Sequence, residues 1–521
     1  MKLVFYISGH GLGHATRAVV TVQRLAEHGH HVTVVAANTQ LFVPLVALTP
    51  DVITIRELAP PAAALDPTVS QKDAVSVDVS KSLKDMAAFL VGWEDKVEEE
   101  LTWLRSQNNI DCVLLDAPFI PAVAAKKLNI PTILISNFTF DAIFDGLRRL
   151  KPSVQSHLIC EILFDLYSNV DYLLRLPGAI PIPAFDSRRD SKDSICMTGS
   201  IERAVFDAMT PQDPTNDIVT TNILQNILLR HQPINREQLP PTKATIKHAL
   251  ENPPHNATFL QQQQHQRIYN IPLVVRMAVT QRDIFRLGHG IPAEAKVVLI
   301  TFGGHSVTSS TPSRTQSRSV SPHPPGDEET SSFSSSATTL HMPTITTRLN
   351  RLIPPPIHGD LSHLSSRTTP ALVPPGWHAL IAVPGPMGDL LNDYIDATPS
   401  DRVSIEPPGA YVPDMLRACD VVVGKCGYGT CAEVVAHEIP LVYVPRPVFV
   451  EEVGLVDNLM KPFGIGVEMS QKDFYAGNWT PHILKAFQLK AKGPALKIRT
   501  DGDKVVVACI ESIVAARKSP S

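Results

Sequence analysis

Three glycine turns hold the residues of this chain best suited to chemistry. The first is Ser8-Gly9-His10-Gly11-Leu12-Gly13-His14-Ala15-Thr16-Arg17, the second Phe302-Gly303-Gly304, and the third Gly424-Lys425-Cys426-Gly427-Tyr428-Gly429-Thr430. The first places two imidazoles, His10 and His14, at the start of a helical pattern. Amide donors and the helix dipole there favour an anion or a developing oxyanion, and a histidine titrating near neutral pH suits a general base. The plain alternative is that both histidines cap or line a tight turn. A dinucleotide fingerprint is excluded because His14 stands where the final glycine belongs, and a P-loop because no Gly-Lys-Ser/Thr ending follows. A zinc pair from His10 and His14 lacks a third ligand, so no metal is expected. In the third turn, Glu433 falls in the first turns of the following helix. Amides at such a turn hold a diphosphate, and a carboxylate farther along accepts both hydroxyls of a ribose. The alternative for Glu433 is a solvated helix residue.

The turns need strands and helices to aim them. Leu3 to Ile7 reads as a buried strand, the run from Val19 to Ala26 as an amphipathic helix stopped by Gly29, and His31 to Ala37 as a second strand. Further strands are expected at Asp51–Ile55, Ile110–Asp116, Ile130–Asn137 and Val170–Leu176, with one long helix over Ser82–Ser106 and another over Ala122–Leu128. Alternating strands and helices predict a parallel sheet covered on both faces. The pattern resumes at Ile271–Arg276, Lys296–Gly304, Trp377–Val383, Val403–Ile405, Asp420–Gly424 and Pro440–Pro445, and Ala495–Lys518 contains an amphipathic helix with an apolar face suited to docking on the first domain.

Length and composition bound the rest. A chain of 521 residues with 44% hydrophobic residues fills two cores, and its formal net charge of -4 argues against nucleic-acid binding. No apolar run approaches the span of a bilayer, and the first strand lacks the layout of a signal peptide. Seven cysteines without tight pairing fit a reduced, cytoplasmic chain. The expected organisation is an N-terminal domain over 1–185, a flexible linker over 186–270 with one helix at Asn222–Arg230, a C-terminal domain over 271–494 interrupted by a Ser/Thr/Pro-rich insertion over 306–369, and a helical tail over 495–521.

The stretch from Lys425 to Glu433 resembles the sugar-nucleotide signature of GT-B glycosyltransferases, with Lys425 in place of the signature's histidine. Ile439 to Pro445 continues the likeness, and Glu451-Glu452 stands where those enzymes carry an acidic-plus-Gln pair. Gly9 to Arg17, Ser136-Asn137-Phe138, Arg175-Leu176-Pro177-Gly178 and the second and third turns together are similar to the glycosyltransferase-like N-terminal region of L-arabinokinases. No galactokinase-type domain follows, so the resemblance is not expected to bring kinase activity. It implies a GT-B fold, an α/β architecture of two Rossmann-like doubly wound domains facing a cleft with two disordered insertions. It also implies transfer of a sugar from a nucleoside diphosphate, UDP first, to a hydroxyl acceptor on a small molecule or glycoconjugate, with no cofactor beyond the nucleotide sugar. His14 would be the base and Asp116 its orienting carboxylate. Gly303, Gly304, Gly427, Gly429 and Thr430 would meet the diphosphate beside Lys425, Glu433 the ribose, and Glu451 and Glu452 the sugar. His10, Gly11 and Gly13 would form the anion and acceptor loop. The same cleft without transfer would make a nucleotide-sugar sensor or scaffold, and conversion without an acceptor an epimerase.

Overall fold

A computed structural model of the chain describes residues 1–9, 12–58, 65–67, 69–71, 76–186, 267–303, 372–382, 388–407 and 409–518. His10, Gly11, Gly304, the expected Asn222–Arg230 helix, the 306–369 insertion and most of the expected linker lie outside the described residues.

The apolar runs become two all-parallel sheets. The first contains β1 (Lys2–Ile7), β2 (His31–Ala36), β3 (Ile53–Glu57), β4 (Cys112–Asp116), β5 (Thr132–Ser136), β6 (Tyr172–Arg175) and β7 (Ile268–Asn270), in the order β3-β2-β1-β4-β5-β6-β7. The second contains β8 (Val297–Thr301), β9 (His378–Ile381), β10 (Val403–Ile405), β11 (Val421–Gly424), β12 (Leu441–Tyr443) and β13 (Gly466–Glu468), in the order β10-β9-β8-β11-β12-β13. Every residue of β4, β5, β8 and β11 is buried. That follows from helices covering both faces of a parallel sheet, which leaves no solvent face to alternate with. Two doubly wound, Rossmann-like sheets in one chain are the architecture expected of GT-B.

Strand order decides where a site can form. In the first sheet it reverses between β1 and β4, in the second between β8 and β11. Crossover helices leave such a switch point on opposite faces, opening a crevice beyond the carboxyl ends of the strands. Ile7 pairs with Asp116 there, so the first glycine turn and Asp116 emerge side by side. Gly424 pairs with Thr301, so the second and third glycine turns do the same.

Three features depart from the sequence expectation. The 82–106 helix is two, Val79–Val91 and Trp93–Ser106, separated at Gly92, which leaves helical geometry (φ -111, ψ 20) and returns its N–H to the Phe89 carbonyl. β7 lies in the span read as linker and joins the first sheet beside β6. Ile271–Arg276 forms no strand. Leu273 instead donates to the Arg499 carbonyl and accepts from Gly502 N–H, where the two crossings between domains meet. A Cβ on Gly502 would lie 2.3 Å from the Pro272 carbonyl oxygen, so only glycine permits that approach.

The last helix, Gly502–Lys518, returns to the first domain. Val506, Ile510 and Val514 share one core with Val22 and Leu25 of the first helix, Leu12–Glu27, and Arg24 Nε donates to Asp503 Oδ2 at 2.7 Å. No helix among the described residues is long and apolar enough to cross a membrane.

Candidate functional site

At the β1/β4 switch point the first helix aims His14 and Arg17 at Asp116. The three lie on adjacent elements because β4 ends in a carboxylate where the first turn begins. Asp116 is 1% and His14 5% exposed. His14 Nδ1 lies 2.9 Å from Asp116 Oδ1. Arg17 donates from Nε to Asp116 Oδ2 at 2.7 Å, from Nη1 to Asn137 Oδ1 at 2.7 Å, and from Nη2 to Asp116 Oδ1 and Ser136 Oγ. Nη2 also sits 3.0 Å from His14 Nδ1. A proton on Nδ1 would face the carboxylate and leave Nε2 its lone pair. Burial by itself would raise the Asp116 pKa, but the charges and hydrogen bonds of Arg17 and His14 outweigh it, and the carboxyl stays below the usual range. Asp116 is therefore an anion at neutral pH, able to orient His14 and to stabilise its imidazolium.

A second carboxyl, Asp66, stands beside this group and had no signal in its Pro/Ala-rich loop. Burial is the main cause that lifts its pKa to about 6, with Asp116 adding to the rise and a hydrogen bond to Ser8 and the charge of His14 opposing it. Its Oδ2 has no hydrogen-bond partner among the described residues. The folded state binds the Asp66 proton more tightly than the unfolded chain, so the stability it contributes is complete below the unfolded value of 3.8 and lost as pH rises through about 6. Asp66→Asn should then raise unfolding stability at pH near 7.5 by about 3 kcal/mol and leave it nearly unchanged near pH 3.5. Denaturant midpoints at the two pH values measure this, and an equal effect at both would refute it.

Across the cleft, the third turn meets the first directly. A Cβ on Gly13 would stand 3.7 Å from the Gly429 amide nitrogen, and one on Gly429 would stand 3.3 Å from Thr16 Oγ1. The Arg17 guanidinium lies over the Tyr428 ring, 4.6 Å from its centroid, and Asn137 Nδ2 donates to Glu451 Oε1 at 2.9 Å. Gly427 caps the Tyr428–Ala436 helix without a side-chain hydrogen bond, leaving first-turn amides, Gly429 and Thr430 among them, for another acceptor. The Tyr428 hydroxyl is buried with no hydrogen-bond partner among the described residues.

Lys425 and Gly303 lie together, since a Cβ on Gly303 would touch Lys425 Cε at 3.6 Å. Gly303 itself takes φ 63, a conformation glycine adopts without strain. Burial, then the nearby Arg446 charge, lowers the Lys425 pKa to about 7, against the opposing pull of Glu451 and Glu452.

The acidic residues of the second domain divide in two. Glu451 accepts from Asn137 Nδ2 and stands in the first turn of the helix Val450–Leu455. Glu452 is buried and both oxygens are engaged, Oε1 by Arg446 N–H at 2.6 Å and Oε2 by Arg446 Nε at 2.6 Å, while Arg446 Nη2 donates to the Cys426 carbonyl. It is thus a strut under the third turn, not a side chain open to a sugar. Glu433 is buried too, with Oε1 accepting from Arg276 Nε and Nη2, each at 2.8 Å. Burial raises its pKa although Arg276 opposes the shift. Arg276, Arg446 and Asp66 carry no motif that marks them in sequence for these contacts, whereas Arg17 closes the first glycine turn and Asn137 follows the polar end of a strand.

Beside His14 the cleft is apolar. Phe138 packs edge-on to the imidazole, with centroids 5.4 Å apart. Phe138, Phe140, Ile143 and Leu147 of the first domain and Phe449 and Val450 of the second line a pocket that reaches Glu451.

No family model matches the chain. An L-arabinokinase of Arabidopsis thaliana is 24% identical over 496 residues, covering 94% of this chain and 32% of that protein. The chain resembles the N-terminal region of L-arabinokinase. It spans about a third of that relative's length. Among solved structures, a UDP-glucosyltransferase from Polygonum tinctorium is similar at 14% identity and TM-score 0.45, covering 100% of this chain and 99% of its own. The UGT2 of Phytolacca americana is similar at 15% identity and TM-score 0.42, covering 99% of each chain. The two-sheet architecture stands on the strand order of this chain.

Proposed function

We propose that the cleft transfers a sugar from a nucleoside-diphosphate donor, UDP first, to the hydroxyl of an acceptor. The observation that carries this is the His14–Asp116 pair at one switch point, on a helix whose first turn meets the glycine turn at the other through Gly13, Thr16 and Arg17. His14 Nε2 takes the acceptor's proton as its oxygen bonds the anomeric carbon. The bond from that carbon to the diphosphate breaks, and the electron pair leaves with the nucleoside diphosphate. Lys425 and the Gly429 and Thr430 amides receive the growing negative charge. Gly303 lets the diphosphate approach the backbone, and Glu451, joined to the first domain through Asn137, meets the sugar. The reaction so described uses no metal or resident cofactor. The aromatic pocket favours an acceptor with an apolar body.

The Lys425 environment gives the proposal a pH signature. A diphosphate raises the pKa of a buried lysine lying near 7, so above that pH binding takes up a proton, and affinity falls as pH rises toward 9. Calorimetry of UDP in buffers of different ionisation enthalpy reads the uptake directly, and proton release or no exchange at pH 8 would remove Lys425 from the diphosphate site.

One observation favours a second reading, a nucleotide-sugar sensor. Arg276 holds Glu433, and Arg446 holds Glu452, so two carboxylates suited to ribose and sugar are already engaged. Assays of binding, donor hydrolysis and transfer across a panel of nucleotide sugars and hydroxylated aromatic acceptors separate the readings. Transfer supports the enzyme, and binding without hydrolysis or transfer supports the sensor. Donor interconversion without an acceptor would mark an epimerase.

A further inference from the structure

Away from the cleft, three ligating side chains meet where the first helix ends and the last one passes. His28 follows the first helix, Gly29 turns the chain with φ 75, and His30 leads into β2. That glycine turn brings the two imidazoles to 6.3 Å between centroids. From the Gly502–Lys518 helix, Glu511 sets Oε1 3.4 Å from His28 Nδ1 and 2.9 Å from His30 Nε2. The three ligand atoms lie within 4.8 Å of one another. A tetrahedral zinc ion with bonds of about 2.0–2.1 Å keeps its ligand atoms roughly 3.3 Å apart, so two of these spacings are close to those it imposes.

We propose that His28 Nδ1, His30 Nε2 and the Glu511 carboxylate bind a divalent transition-metal ion, zinc by preference, with water in the fourth position. Two imidazoles and one carboxylate suit zinc, whereas calcium and magnesium select sets of oxygen ligands. His30 is buried, so its surroundings hold the ring in place. His28 and Glu511 keep 45% and 41% of their side-chain surface, which gives an ion its path in. The ion ties the last helix to the first domain. The Arg24–Asp503 and Lys518–Asp111 pairs make the same connection without metal, so the site braces a junction that already forms. It is independent of the glycosyl-transfer proposal.

The test uses the untagged full chain, stripped with chelator and titrated with zinc chloride by calorimetry and thermal unfolding, with cobalt as a spectroscopic stand-in. The expected result is one equivalent of zinc with a Kd below about 10 μM, a rise in Tm that saturates at that stoichiometry, and tetrahedral cobalt bands. His28→Ala and Glu511→Gln, both at exposed positions, should each weaken zinc binding at least about tenfold while leaving the metal-free Tm near that of the native chain. No stoichiometric binding, or binding unchanged in both variants, overturns the site and leaves a hydrogen-bonded cluster. A fall in metal-free Tm without a change in zinc affinity does the same.

Discussion

His14→Ala should lower turnover by about a thousandfold or more while changing donor affinity less than about twofold. The two effects separate because His14 belongs to the first domain, while Gly303, Lys425 and the Tyr428–Ala436 helix start belong to the second. Nothing in the donor half of the cleft depends on the imidazole for its shape. Asp116 retains both Arg17 contacts in the variant, so the buried carboxylate remains paired and the fold has little reason to fail. Asp116→Asn provides the complementary result. It removes the anion that holds the Nδ1 proton and stabilises the imidazolium, and it should reduce turnover strongly with donor affinity preserved. Steady-state rates with saturating acceptor, paired with UDP titrations, measure both. Retained turnover in His14→Ala would exclude the base assignment, and lost UDP binding in a folded His14→Ala would place the imidazole in the donor site instead.

Arg17→Met should destabilise the chain by about 3–5 kcal/mol, the usual cost of leaving a buried charge unpaired. Arg17 and Asp116 are both almost wholly buried, and one guanidinium serves Asp116, Asn137 and Ser136 while covering the Tyr428 ring. Its loss strands the Asp116 carboxylate and unties Asn137, which in turn holds Glu451. The double variant Arg17→Met with Asp116→Asn should recover part of the loss, because the orphaned charge is gone. Chemical denaturation of the four proteins in the cycle gives the coupling. A single-variant effect below about 1 kcal/mol, as for an exposed ion pair, would show that the pair is solvated in solution.

The sequence disclosed the parts of the site that lie on buried strands and glycine turns. β4, β8 and β11 are apolar runs ending in Asp, Thr or Gly, and β1 runs apolar from Leu3 to Ile7 into Ser8-Gly9, a pattern that survives without knowledge of their neighbours. His14, Asp116, Gly303 and Lys425 therefore fell at strand ends where the switch points put them. Pairings between distant residues were another matter. Arg276 and Glu433 are 157 positions apart, and nothing local to either encodes the meeting. Arg446 and Glu452 are only 6 apart, yet the loop between them has no period that reveals its curl. Asp66 hid in a loop without repeat or motif. β7 and β13 have 3 residues each, too short for periodicity to distinguish from a loop, and are strands because a neighbouring edge accepts them. The break at Gly92 was missed because the apolar face of the two helices continues across it.

A crystal structure of the chain with UDP shows whether a nucleoside diphosphate lies between the two switch points. The diphosphate is expected against Gly303, the Lys425 Nζ and the Gly429 and Thr430 amides, with the β-phosphate on the side that faces His14. A diphosphate bound elsewhere, or a cleft that stays empty in crystals grown with saturating UDP, would contradict it.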